Sequence, residues 1–394
     1  MGETTLVVVA NTRFPSHRAQ ALQVAETSAA FQRAGVATTL FVADRVAHVD
    51  LGAHADPFAW YGIREHARPK LVRVPCVDWI ERVPRVLQYV PARLQELTFA
   101  RNAARRILRE SPSAIVISRE LECARHLVRG GSTTTFLEIH RVPGGRTRRR
   151  WLFDAATRVR GIIAISEGVR ADLLDLGIAA GDIVVEHDGF APERFADRHS
   201  RADARRSLGL PVEAPLVVYT GGLLAWKGVD VLIEAARLVP SAYFVVAGGL
   251  DADVARIRAL AGGLQNVRID GFQPPDKIPT YLEAGDVGVV PNRSQPAISS
   301  KYTSPLKVFE SMAAGLPLVA SDVPSLASIL RRDLDAVLVA PDDPAALARG
   351  IERVLGDAEL RARMSASLRA RAGEHTWDAR AERVLAWMRA RSVG

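Results

Sequence analysis

The sequence predicts an α/β protein of two Rossmann-like domains facing across a cleft. Two observations carry this. Short apolar runs of strand length alternate with helix-length amphipathic stretches from end to end, the pattern of parallel sheets wrapped by helices. The alternation restarts after a charged, proline-containing stretch half-way along, so the 394 residues fall into two halves of similar size. With 48% hydrophobic and 24% charged residues, the composition is that of an ordinary soluble globular protein able to bury two cores.

In the first half, Leu6 to Ala10 reads as the opening strand and Ser16 to Ala34 as a helix stopped by Gly35. Val36 to Val42 is a second strand, and residues 43–90 are irregular and broken by prolines. A helix from Ala92 to Arg109 precedes strands at Ala114 to Ser118, Thr133 to His140 and Gly161 to Ile165. Ser166 caps a helix to Leu176, and Ile183 to Val185 closes the half. The first domain is set at 1–195, a linker at 196–213 and the second domain at 214–375. Strands there are expected at Pro215 to Thr220, Ala242 to Ala247, Val267 to Asp270, Val287 to Val290 and Leu316 to Ala320. A last helix, 376–391, carries Trp377, Val384, Leu385, Trp387 and Met388 and is expected to return to the first domain.

Cys76 and Cys123 are the only cysteines and lack metal spacing, so a reducing, cytoplasmic setting is the simpler reading. The N-terminus lacks the basic and long apolar regions of a signal peptide, and no apolar stretch reaches the length of about 18 residues expected of a membrane span. The pI near 9.9 raises nucleic-acid binding, but the charge is local. Residues 101–150 hold 12 Arg and 4 Glu, a balance equal to the net +8 of the whole chain. Arg141 to Arg150 is the sharpest part, with no interleaved aromatic residue until Trp151 and no nucleic-acid motif. A solvated loop is the plain reading; a patch for an anionic acceptor or an anionic membrane is the functional one. Of 52 basic residues only five are lysines, and Lys227, Lys301 and Lys307 lie in or beside the motifs below.

Ser304 to Asp322 combines a helix start, a charged pair, a glycine stop and a core strand. Ser304 suits the cap, Pro305 the first turn and Gly315 the end. Free N–H groups at such a start favour an anion, phosphate above all. Lys307 and Glu310 are three apart and share a side of the helix. A cation near the positive end of a helix is disfavoured unless it meets an anion. The stretch therefore reads as a site for a phosphorylated ligand, with Glu310 accepting hydroxyl hydrogens.

Glu310-Ser311-Met312-Ala313-Ala314-Gly315-Leu316-Pro317 resembles the donor-site motif of the retaining glycosyltransferases of family 4. Tyr219 to Gly228 is similar to that family's glycine turn followed by Lys-Gly, and Phe244 to Gly248, Gly271-Phe272 and Tyr281 to Pro291 to its next segments. Two departures stand out. Tyr302 occupies the place of the first Glu of the motif, and Gly222 that of the usual Arg. The resemblance implies the GT-B fold and a nucleotide-diphosphate sugar as co-substrate, with no further cofactor. Gly221, Gly222, Lys227, Phe272, Ser304, Pro305, Leu306, Lys307 and Glu310 would bind that donor. Lys227 and Lys307 would hold its diphosphate and Glu310 its ribose. His140 would lie beside the donor sugar, so His140, Lys227 and Glu310 form the implied catalytic set. On the first domain, Arg13, His17, Glu138 and Arg141 are candidates for the acceptor, a small molecule, glycan or lipid-linked compound. Glu138 and His140 face the same way if they share a strand. No metal cluster is expected, since neither Asp-x-Asp nor His/Cys spacing occurs.

The reading that follows is transfer of a hexose-type sugar from a UDP-sugar, or from GDP-mannose, by a metal-independent retaining enzyme. The alternatives are a nucleotide-sugar-binding protein with a degenerate site, or a GT-B epimerase or phosphorylase.

Overall fold

The computed structural model describes residues 5–47, 49, 51 and 56–392. The chain separates into two compact units: Met1–His187 with Trp377–Gly394, and Asp188–Thr376. The first unit is built on seven strands, β1 (Thr5–Ala10), β2 (Ala37–Ala43), β3 (Lys70–Val74), β4 (Ile115–Ser118), β5 (Thr135–Ile139), β6 (Gly161–Ala164) and β7 (Ile183–Val185). They are hydrogen-bonded in the order β3-β2-β1-β4-β5-β6-β7, all parallel. The order reverses between β1 and β4, which makes their C-terminal ends the expected ligand edge. Val7, Val8 and Val9 in β1 are all buried, which explains the unbroken apolar run: helices cover both faces of a parallel sheet.

β3 lies in the region read as irregular. Pro69 and Pro75 bracket it, and exposed residues interrupt its apolar ones, as suits an edge strand with only one partner.

The second unit repeats the plan with β8 (Leu216–Thr220), β9 (Tyr243–Ala247), β10 (Val267–Gly271), β11 (Val287–Val290), β12 (Leu318–Ser321) and β13 (Ala336–Val339). Their order is β10-β9-β8-β11-β12-β13, again parallel, with the switch between β8 and β11. β12 begins two residues later than expected, after Pro317, which cannot donate to a ladder.

The stretch 196–213 is not a linker. Ser200 Oγ accepts from Asp203 N and caps a helix, Arg201–Leu208, that packs on the helix Ile278–Ala284. Arg205 of this helix is 3% exposed and donates to the carbonyls of Ala284, Val212 and Ala214 and to Asp286. Its abundance of charge is thus partly internal wiring, and the division between units falls after His187.

The last helix, Trp377–Ser392, belongs to the first unit. Trp377, Val384, Leu385 and Met388 are buried, and Trp387 meets Phe136 of β5 with ring centroids 5.6 Å apart. Polar ties fix its direction: Arg33 Nε donates to Asp378 over 2.8 Å, and Arg383 NH2 to Glu186 over 2.9 Å.

Candidate functional site

In the second unit, two glycines shape the ligand edge. Gly221 follows β8 with φ +119, a conformation that strains any residue bearing a Cβ, and a Cβ there would lie 3.3 Å from Lys307 Cε. Gly228, at φ +70, approaches Pro291 so closely that a Cβ would stand 1.8 Å from its carbonyl oxygen. These close approaches let the loops after β8 and β11 fit against each other. Gly222 is exposed between them.

Lys307 is the central group. It lies in the first turn of the helix Leu306–Ala314 and is 8% exposed. Its Nζ is buried with no hydrogen-bond partner among the described residues, 3.5 Å from the centroid of the Tyr219 ring. Tyr219 is locked by its hydroxyl, which donates to Gly222 O over 2.7 Å. Burial drives the Lys307 amine well below its usual pKa; the nearby charge of Lys227 adds to this, and Glu310 partly opposes it. Lys227 ends a short turn, Ala225–Lys227, with its Nζ 4.1 Å from the Trp226 ring, and burial brings its pKa down to about 8. Two cations thus converge where no carboxylate neutralises them through a salt bridge among the described residues. That arrangement is costly unless an anion joins it.

The helix start differs in detail from the sequence expectation. Ser304 does not cap it. Its hydroxyl instead accepts from Asp188 N over 2.8 Å, and Pro305 takes the cap position. Among the described residues no side chain caps the helix, so the first-turn amides of Leu306 and Lys307 lie at the ligand edge without a side-chain acceptor. Gly315 closes the helix as expected. Glu310 is half-buried one turn beyond Lys307, and Phe272, 37% exposed, stands just past the end of β10. Gly221, Lys227, Lys307, Glu310 and Phe272 therefore occupy one edge of one sheet.

In the first unit, His140 follows β5. Its Nε2 is 2.6 Å from Glu138 Oε1, and Arg119 NH2 is 3.3 Å from its Nδ1. A carboxylate only accepts and a guanidinium only donates, so the ring is neutral with its proton on Nε2. Burial and the Arg119 charge agree with this, lowering its pKa to about 4. Both ring nitrogens are occupied. Glu138 is 4% exposed; its second oxygen accepts from Arg380 over 2.8 Å, and Arg119 Nε lies 3.5 Å from the first. Opposing its burial, these cations hold its carboxyl well below the usual range. Glu138 therefore positions His140.

Arg13 is likewise committed: its NH2 is 2.5 Å from Glu81 and 3.8 Å from Asp78. His17 is exposed, edge-on to Trp60 at 5.4 Å between centroids, and Arg141 is exposed after β5. Sequence reasoning missed a cluster at the β1/β4 switch. Asn11 N donates to Glu120 Oε1 over 2.8 Å, and the Asn11 and Gln95 amides exchange two hydrogen bonds of 2.8 and 2.9 Å. Burial raises Glu120 to about 7. Its signal was positional: Glu120 stands just past β4, at the reversal of strand order. Among the described residues no three His, Cys, Asp or Glu side chains are grouped to hold a metal ion.

Residues 200–371 match the family model described as Glycosyl transferases group 1. A D-inositol 3-phosphate glycosyltransferase from Xylanimonas cellulosilytica is 31% identical over 208 residues, 51% of this chain and 48% of that protein. The chain spans about half the length of the curated relatives it matches. Among solved structures, the sucrose-phosphate synthase of Thermosynechococcus elongatus aligns over 98% of each chain at 20% identity and a TM-score of 0.76. Anabaena Alr3699/HepE in complex with UDP aligns over 98% of this chain and 100% of its own at 15% identity and a TM-score of 0.74. Residues 200–371 are therefore similar to group 1 glycosyl transferase domains, and the fold of the chain is of the GT-B type.

Proposed function

We propose that this protein transfers a hexose-type sugar from a nucleotide-diphosphate sugar to an acceptor hydroxyl, with retention at the anomeric carbon and without a metal ion. The observation that carries the proposal is the buried, unbonded ammonium of Lys307 beside Lys227. In this reading the diphosphate lies between the two lysines and the first-turn amides of the helix Leu306–Ala314. Glu310 accepts from ribose hydroxyls, and the exposed Phe272 ring meets the base. As the glycosidic C–O bond breaks, its electron pair goes to the diphosphate. The preorganised positive charge stabilises that developing anion, a term that often dominates catalysis. A uridine donor is favoured, because a GT-B chain of the same fold holds UDP.

His140 contributes a neutral ring of fixed orientation rather than a base. Arg141 and the arginines up to Arg150 are assigned contact with an anionic lipid surface, which suits a lipid-linked acceptor.

The test is thermal unfolding with UDP, GDP and their sugars, followed by product analysis. Stabilisation by UDP and its sugars, lost in Lys307→Met, and an α-linked product from an α-linked donor are expected. Equal stabilisation of wild type and Lys307→Met by every nucleotide would refute the site.

A further inference from the structure

From the first unit, we infer that residues 79–90 form an apolar docking strip that seats the protein on an anionic bilayer surface, together with the arginines of 141–150. The inference deepens the lipid contact proposed above and rests on it.

The strip is conspicuous by exposure. Val86 is 89% exposed, Tyr89 77%, Val90 70%, Leu87 61% and Trp79 51%. Single exposed apolar side chains are ordinary, but five within twelve residues are not. Val86, Leu87, Tyr89 and Val90 follow the spacing that puts side chains on one side of a helical segment, across the turn Arg85–Leu87 and the start of the helix Tyr89–Glu110. Polar anchors underneath hold the segment in place. Asp78 accepts from Arg45 Nε over 2.7 Å, Val77 N donates to Thr98 Oγ1 over 3.0 Å, and Gln88 Nε2 to Val83 O over 3.2 Å. The segment is thus tied to the unit just before its start and braced within itself, while its apolar side chains are exposed.

Charge decides the occupant. Arg82 and Arg85 are exposed within the strip, and Arg141, Arg146, Arg149 and Arg150 are exposed in the basic segment. The two segments are tied to one another. Glu122 Oε1, on the helix Leu121–Arg129, lies 3.3 Å from Arg93 NH1 at the start of the long helix and 3.0 Å from Arg148 NH2 in the helix Arg146–Ala156. The neighbouring acids Glu81, Glu96 and Glu122 are each already paired with an arginine. An apolar strip with an indole and a phenol, flanked by unopposed guanidinium groups, matches the interfacial layer of a bilayer carrying negative headgroups.

The experiment is co-sedimentation of the full chain with vesicles of phosphatidylcholine alone or mixed with phosphatidylglycerol. Binding to the mixed vesicles only, weakening with added salt, is expected. Val86→Asp/Leu87→Asp should bind at least tenfold more weakly, with the melting temperature and the UDP-induced shift of wild type. Undiminished binding by that variant, with binding lost in Arg149→Ser/Arg150→Ser, would overturn the strip and leave the arginine contact standing. Failure of wild type to bind the mixed vesicles would overturn both. A wild-type dimer that Val86→Asp/Leu87→Asp dissociates would assign the strip to a second copy of the chain and overturn the inference.

Discussion

Lys307 Nζ stands 3.5 Å from the centroid of the Tyr219 ring, and that π face lies against an ammonium that makes no hydrogen bond or salt bridge among the described residues. The π face offsets only part of the desolvation. Lys307→Met should therefore raise the melting temperature of the ligand-free protein while lowering affinity for UDP about ten- to a hundredfold, the value of about 1.5–3 kcal/mol for a charge-assisted hydrogen bond. The folded pKa lies below the unfolded one, so the stability gain is full at low pH and fades as pH rises toward the ordinary lysine value. Calorimetry from pH 6 to 10 with and without UDP reads both effects.

UDP binding should weaken as pH rises from 7 to 9. Free Lys227 releases its proton near pH 8, whereas a bound diphosphate keeps it charged, so binding takes up a proton across that window. Affinity falls by up to about tenfold per pH unit for one proton. Titration calorimetry in buffers of different ionisation enthalpy measures the uptake. A flat profile in wild type would count against a diphosphate at Lys227.

Gly221→Ala should cost more than about 1 kcal/mol of stability, since alanine is forced to φ +119 and its Cβ presses on Lys307 Cε. Donor affinity should fall with it, because the displaced chain is the one proposed to hold the diphosphate. Chemical denaturation and a UDP titration of the same sample separate the two losses.

Glu138→Gln removes the charge shared by Arg119, Arg380 and His140. Stripping one partner from such a buried set costs about 3–5 kcal/mol. Glu138 has a folded pKa below its unfolded value, so its stabilisation is present above about pH 4.5 and lost as pH falls through the folded pKa. Wild type and variant should therefore converge in stability in acid, which urea unfolding at pH 7 and pH 3 would show.

Much of the second unit was legible because its signals are local. Strand runs such as Val287–Val290 are short and wholly apolar, and Gly315 ends a helix in the way its φ of +68 requires. Ser304 shows the limit: its residue type fits a cap, but Asp188, 116 positions earlier, claims the hydroxyl. Arg205 shows the same limit, since charge in a sequence window carries no sign of whether carbonyls elsewhere will surround it. Lys307 was found by its place in a helix start. That its amine would be buried against Tyr219 depends on the glycine turn after β8, which no local pattern reports. Arg119 and Arg380, which determine the protonation of His140, come from another strand end and from the last helix.

That last helix has a consequence for biosynthesis. One of the two guanidinium groups that offset Glu138, that of Arg380, lies 242 residues downstream, and the whole of Asp188–Thr376 is translated in between. The second unit can fold as an uninterrupted segment while the first still lacks one of the two guanidinium groups that offset its buried Glu138 carboxylate. Maturation of the His140 region is thereby timed to the end of translation, and a ribosome stalled shortly before Arg380 would hold a chain with a complete second unit and an unfinished first one.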